Sequence, residues 1–399
     1  MMRIYDRNRQ KQLDQYVEKL FHKRINRREF IRRGTVLGIS AVFLADILAL
    51  HKKAFAAEGP SPEVLEKIKK EGGELFVYNW EEYIHPDTIP NFEKEFGVKV
   101  TYDTYPGNEQ LLAKLQAGGS RYDIVVPTHN FVPIHVGQGL MAPLNHENIP
   151  NLKNITPRFL DTSVDPGNKY TVPYLWGMTG IGHNTKYTKD DPNNDSWALM
   201  FESGPKLYSG KLAFTDEREE VIATALAYLG YSVNSHNKDE LMEAGELLIS
   251  IKPHVKAFYP GADETKALIT EDIIVGHEWN GEVVKANRKN PDVKWLLPKE
   301  GGTAWFDNMA IGKDAPHKFT AEIFINYMLR PDVSASNSDE GGYATPNRVA
   351  IEKYVPAEIA QNPGIYPTDK ELARLEFLAV LPDEILPIYD DIWIRLLAA

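Results

Sequence analysis

The chain has 399 residues, 43% of them hydrophobic, which is too long for one typical core and well inside the globular range, so two lobes are expected. Its net charge of −11 is split: residues 1–56 carry 13 Lys/Arg against 5 Asp/Glu, and the remainder carries 32 against 51. An acidic body of this kind argues against nucleic acid and anionic membrane as partners and favours cationic ones, while the absence of cysteine excludes a lipid-modified one.

In chain order, the basic leader comes first. Asn26-Arg27-Arg28-Glu29-Phe30-Ile31-Arg32 resembles a twin-arginine export signal, and the apolar stretch Thr35 to Leu50 behind it is short for a membrane span, which needs about 20 residues. Ala54-Phe55-Ala56 then offers a small-x-small site, so residues 1–56 read as a signal peptide cleaved near Ala56. An exported domain of this size has core enough to dispense with disulfides. The expected product is a soluble periplasmic protein without a lipid anchor.

Beyond the leader, strand-like runs alternate with helical patterns. Glu74 to Tyr78 reads as a strand, Asp87 to Phe96 as a helix stopped by Gly97, Val98 to Tyr102 as a strand, Asn108 to Ala117 as a helix and Tyr122 to Val126 as a third strand. This β-α-β-α-β order predicts a parallel, doubly wound α/β sheet. Ligands of such sheets lie beyond the carboxyl ends of the strands. That rule places Asn79-Trp80-Glu81-Glu82-Tyr83, Tyr105-Pro106-Gly107-Asn108 and Pro127-Thr128-His129-Asn130-Phe131 on a binding rim.

A second α/β region follows. Tyr170 to Asn184 reads as an extended crossing, with strands at Lys211 to Phe214 and Ile273 to His277, helices at Glu220 to Leu229 and Asp239 to Ile251, and another crossing at Trp305 to Ile311. Phe319 to Leu329 reads as a helix, and Asp369 to Leu397 as mostly helical with interruptions at Pro382 and Pro387. Two lobes joined by extended crossings predict a hinge.

Enzyme signatures are wanting. The 11 His form no His-x-x-x-His pair, no Gly-x-Ser-x-Gly elbow or Walker-type loop occurs, and Gly180-Ile181-Gly182 lacks the third glycine of a dinucleotide fingerprint. Ser203-Gly-Pro-Lys206 carries Gly and Pro where a helical turn would have to align Lys with Ser. What recurs is an aromatic beside an acid: Trp80 before Glu81 and Glu82, Trp279 three before Glu282, Trp305 two before Asp307, and the acidic run Asp216 to Glu220 between a strand and a helix. Taken singly, each tryptophan suits an ordinary core and each acidic run a helix start that complements the dipole. Together, rings and carboxylates suit an organic ammonium ion, through cation–π attraction and charge-assisted hydrogen bonds. A sugar site would use the same residue types.

Several motifs, in order, resemble the periplasmic spermidine/putrescine-binding proteins of polyamine ABC importers. They are Phe76-Val77-Tyr78-Asn79-Trp80-x-Glu82-Tyr83, Tyr122-Asp123-Ile124-Val125-Val126-Pro127, Val172-Pro173-Tyr174-Leu175-Trp176-Gly177, Trp279-Asn280-Gly281, Pro298-Lys299-Glu300-Gly301-Gly302, Trp305-x-Asp307, Leu329-Arg330-Pro331-Asp332-Val333 and Gly342-Tyr343-x-Thr345-Pro346-Asn347. The resemblance implies a two-lobed type II periplasmic-binding-protein fold with a hinge and an interlobe cleft. Its lobes would be 57–180 with 307–351, and 181–306 with 352–399. It implies an aromatic box of Trp80, Tyr83, Trp279, Trp305 and Tyr343, amine-binding acids Glu82 and Asp307, a hydroxyl at Thr128, and acids Glu217 and Glu220 on a further acidic segment. Glu282, three after Trp279, resembles the putrescine-preferring members; Glu81 stands where Ser or Thr is usual, and Asn130 where spermidine-preferring members tend to place Tyr.

The expected function is therefore capture of a polyamine and its delivery to an ABC permease with a cytoplasmic ATPase. The protein would be non-enzymatic and monomeric, need no cofactor or metal, and be exported by the twin-arginine machinery. The alternatives are a binding protein for a quaternary amine or a sugar, and a periplasmic hydrolase built on paired carboxylates.

Overall fold

The structure, a computed structural model, describes residues 59–118, 121–260 and 263–399, so the signal peptide expected over 1–56 lies outside the described residues. The first strands follow from apolar runs with a period of two: β1 (Glu74–Trp80) buries Leu75, Val77 and Trp80 and pairs in parallel with β2 (Lys99–Tyr105) and β3 (Ile124–Val125). The helix Thr88–Phe96 between β1 and β2 ends on Gly97 in the left-handed conformation, as its sequence predicts; Asp87 occupies the N-cap position without a capping side-chain bond. The helix Asn108–Gln116 leads from β2 towards β3.

A short β4 (Met141–Ala142) precedes β5 (Thr171–Asn184), which is the extended crossing expected over 170–184 and is buried along its whole length. Then come β6 (Leu212–Thr215), β7 (Val255–Tyr259), β8 (Val275–Trp279), β9 (Val293–Leu296) and a second long buried strand, β10 (Gly302–Gly312). The strand order is β2-β1-β3-β10-β5-β8-β6-β7, with β4 added at β10 and β9 at β5. β5 pairs antiparallel with β10 through residues 171–178 and with β8 and β9 through residues 179–184, so one strand serves two sheet regions.

Each region has its own core. The first buries side chains between Ile68 and Trp176 and between Trp305 and Ile365; the second buries side chains between Ile181 and Val275 and between Leu378 and Leu396. Two expectations differ. Trp305, Phe306 and Ile365, which the bounds implied by the resemblance put in the second lobe, are buried inside the first core. The C-terminal stretch is less helical than expected: β11 (Leu375–Phe377) pairs in parallel with the start of β10, and Pro387 sits in the first turn of the helix Leu386–Ala398, where a missing N–H costs nothing.

Candidate ligand-binding site

The two sheet regions meet at a cavity that opens to solvent. It lies beyond the ends of β1, β2, β3, β6 and β8 and beside β10, where the strand-end rule places it. Trp80 ends β1, Trp279 ends β8, and Trp305 and Asp307 belong to β10. Glu217 and Glu220 start the helix Arg218–Tyr228 after β6, and Glu282 lies in the first turn of the helix Asn280–Lys289 after β8. Tyr343 follows Gly342, whose φ of 74° ends the helix Pro331–Gly341 in a left-handed turn and aims the next side chain inward.

The rings form a connected wall. Trp80 meets Trp279 edge-on at 6.0 Å between centroids, Trp279 meets Trp305 at 6.3 Å, Trp305 meets Tyr343 at 5.3 Å, and Tyr343 meets Tyr83 at 5.3 Å. Gly281 permits this closeness: a Cβ there would lie 2.4 Å from the Tyr343 ring.

Asp307 and Glu220 are held by neutral donors. Asp307 Oδ2 accepts the Tyr83 hydroxyl at 2.7 Å and Oδ1 accepts the Thr128 hydroxyl at 2.7 Å, while Asn108 donates to Thr128 Oγ1 at 3.0 Å. Glu220 Oε2 accepts from Thr179 Oγ1 at 2.7 Å and from Trp279 Nε1 at 3.0 Å. Burial pushes the Asp307 and Glu220 carboxyls up to about 7, against the lowering effect of these hydrogen bonds. Burial, then the neighbouring Glu109 and Glu220, pushes Glu217 well above the usual carboxylate range. No Lys, Arg or His lines the cavity among the described residues. Nor do those residues contain a cluster of three or more His, Asp or Glu arranged to hold a metal ion.

Ten of the eleven residues singled out from the sequence line this cavity. Glu82 does not. Its φ is +48°, which reverses the chain after β1 and turns its side chain outward, 60% exposed, to pair with Lys285 at 3.3 Å. Its neighbour Glu81 lines the cavity instead. Tyr105, Pro106 and Asn108 also line it; they belong to a segment that strand order places on the rim, and nothing in the sequence marks them individually. Asn130 is not a lining residue; it donates to Glu219 at 2.8 Å, joining the segment after β3 to the helix after β6.

The model of the bacterial extracellular solute-binding protein family matches residues 88–368. The chain belongs to this family. It is 39% identical to the putrescine-binding periplasmic protein of Escherichia coli K12 over 336 residues, which cover 80% of this chain and 90% of that one. Against the spermidine/putrescine-binding periplasmic protein of Salmonella typhimurium it is 35% identical over 304 residues, 76% of this chain and 86% of the other. Among solved structures, the spermidine/putrescine ABC transporter substrate-binding protein of Streptococcus pneumoniae superposes with a TM-score of 0.70 at 31% identity, over 82% of this chain and 99% of that one. The architecture is thus the two-lobed type II periplasmic-binding-protein fold, and these relatives are solute-binding proteins rather than enzymes. No helix among the described residues is long and apolar enough to cross a membrane.

Proposed function

We propose that this chain is the periplasmic substrate-binding component of an ABC importer, which captures a polyamine of the putrescine/spermidine class and delivers it to a membrane permease driven by a cytoplasmic ATPase. One observation carries the reading: five carboxylates, Glu81, Glu217, Glu220, Glu282 and Asp307, face a ring-walled cavity that no cationic side chain among the described residues lines. Such a site suits an alkyl chain bearing two or more ammonium groups, since the rings cover the methylenes and the acids accept charge-assisted hydrogen bonds. The putrescine- and spermidine/putrescine-binding relatives support the same reading.

In this reading Trp80, Tyr83, Trp279, Trp305 and Tyr343 wall the ligand, Asp307, Glu220 and Glu217 take its ammonium groups, and Thr128 orients Asp307. Glu81, at the mouth, replaces Glu82 in the set. The lobes are 57–180 with 307–351 and 181–306 with 352–399, apart from Trp305, Phe306 and Ile365, whose side chains pack in the first core. They close on the ligand because each contributes acids and rings to it. The protein acts as a monomer, performs no chemistry on the ligand, needs no cofactor, and reaches the periplasm by the twin-arginine route with cleavage near Ala56.

The test is a thermal-shift panel on dialysed protein with putrescine, spermidine, spermine, betaine, arginine and sugars. Ligand at 100 times its Kd should add about 2.7 kcal/mol of stability. A polyamine shift with no change in ligand mass after incubation is expected. A shift with a sugar and none with any polyamine would overturn the reading.

A further inference from the structure

Of the five carboxylates that face the cavity, Glu282 alone already holds an ammonium ion among the described residues, and the ion is the chain's own. Lys285, one helical turn on, places Nζ 2.6 Å from Glu282 Oε1 and 3.3 Å from Glu82 Oε2. Glu282 Oε1 also accepts the Tyr343 hydroxyl at 3.1 Å, and Oε2 shares the Thr265 hydroxyl with Glu278 Oε1, each at 3.2 Å. Both its oxygens are thus engaged from within the protein. The Lys285 side chain is 12% exposed and that of Glu282 5%, so the pair is screened little by solvent. Asp307 and Glu220, by contrast, accept only from neutral hydroxyl and indole groups among the described residues.

We propose that Lys285 is a specificity-determining residue, a tethered ammonium that satisfies Glu282 in place of an outer ligand amine and so limits the site to a diamine. This inference rests on the polyamine reading above. A diamine spends its two charges on the free acids. The third ammonium of a triamine must reach Glu282 and displace an amine held there intramolecularly, at an effective concentration in the millimolar range or above. Glu82, which the chain reversal after β1 turns away from the cavity, has a part in this arrangement: it is the outer partner that keeps Lys285 in place.

The experiment is isothermal titration of putrescine and spermidine into the wild-type protein and into Lys285→Gln, Lys285→Arg and Glu82→Gln. Removing the tethered charge should move the ratio of affinities towards spermidine by about tenfold, the effect of about 1.4 kcal/mol. Arg, which restores the cation, should keep the wild-type ratio. Glu82→Gln, an exposed change that leaves the fold intact, should move the ratio in the same direction by about threefold, so the idea remains testable should Lys285→Gln not fold. A wild-type protein that binds putrescine, with a ratio unmoved within twofold by either neutralising change, would overturn the role of Lys285 and leave the polyamine reading standing. A wild-type protein that binds neither amine would overturn both.

Discussion

Asp307 is the acid whose loss should be most selective for binding. It is 3% exposed, and its two oxygens are already occupied by the hydroxyls of Tyr83 and Thr128. Asn in its place keeps one acceptor for the Tyr83 hydroxyl and turns its amide towards Thr128 Oγ1, which can rotate to accept. The fold should therefore survive Asp307→Asn, while losing the charge that meets an ammonium should weaken binding by at least about 30-fold, in the range for truncating one partner of a buried charge pair. Calorimetric titration with a matched circular-dichroism spectrum measures both; an unchanged affinity would remove Asp307 from the site. Glu81 should behave differently. It is exposed and lies at the cavity mouth, where its field is screened by salt. Glu81→Thr should cost only about threefold in affinity, mostly through the association rate, and the difference from wild type should shrink as salt rises. A loss as large as that of Asp307→Asn, unmoved by salt, would place Glu81 in direct contact with the ligand.

The elements around the site were legible because their signals are local. The apolar runs of β1, β5 and β10, the Gly97 stop and the alternation of strands with helices all reflect short-range preferences. The rule that ligands sit beyond strand ends then located the rim, including Asn108 and Thr128, before any side chain was placed. What sequence could not supply was direction after a strand ends. A period of two would keep Glu82 on the face of Trp80, but the left-handed backbone at Glu82, uncommon for a residue other than glycine, breaks the alternation and exchanges the roles of Glu81 and Glu82. The three-residue β11 has no signature in the sequence because its pairing with β10 is a long-range contact that no local pattern encodes. The start of the helix Asn280–Lys289 shows how closely an element's sequence can be tied to the site. Since a Cβ on Gly281 would fall 2.4 Å from the Tyr343 ring, Gly281→Ala should push that ring out of the wall and break its bond to Glu282. The expected result is about 1–3 kcal/mol of lost stability, the usual cost of overpacking, and a drop in polyamine affinity of about tenfold or more. Chemical denaturation and titration of the same sample measure both, and wild-type affinity in this variant would detach Tyr343 from binding.

Across the whole molecule, the site concentrates acids that the ligand-free protein keeps at a cost, and this sets a pH dependence. Burial raises Asp307, Glu220 and Glu219 to about 7 and Glu217 well above its ordinary range. Glu264 and Glu278, buried near Glu282, are raised too, first by burial and then by neighbouring carboxylates. A carboxyl whose pKa is higher folded than unfolded contributes stability that is complete below about 4 and is lost as pH rises through its folded value. Buried neutral histidines act in the opposite sense: His129 and His183 are lowered to about 4 and His277 to about 3, so they destabilise the fold as pH drops below the ordinary histidine value of about 6.5. Above 6.5 the histidine contribution fades and the carboxyls dominate. The ligand-free protein should therefore lose thermal stability between pH 6.5 and 8. A bound dication reverses the balance, since an ammonium beside Asp307 or Glu220 favours the ionised acid and lowers its pKa. Binding at pH 7 should then release protons, and affinity should rise from pH 6 to 8 while the ligand amines, with pKa values near 10, stay charged. Titrations of putrescine in two buffers of equal pH and different ionisation heat measure the protons released, and melting curves from pH 6.5 to 8 measure the cost they offset. A melting temperature that rises over that range, with no dependence of binding heat on buffer, would mean that the cavity acids are already ionised before the ligand arrives.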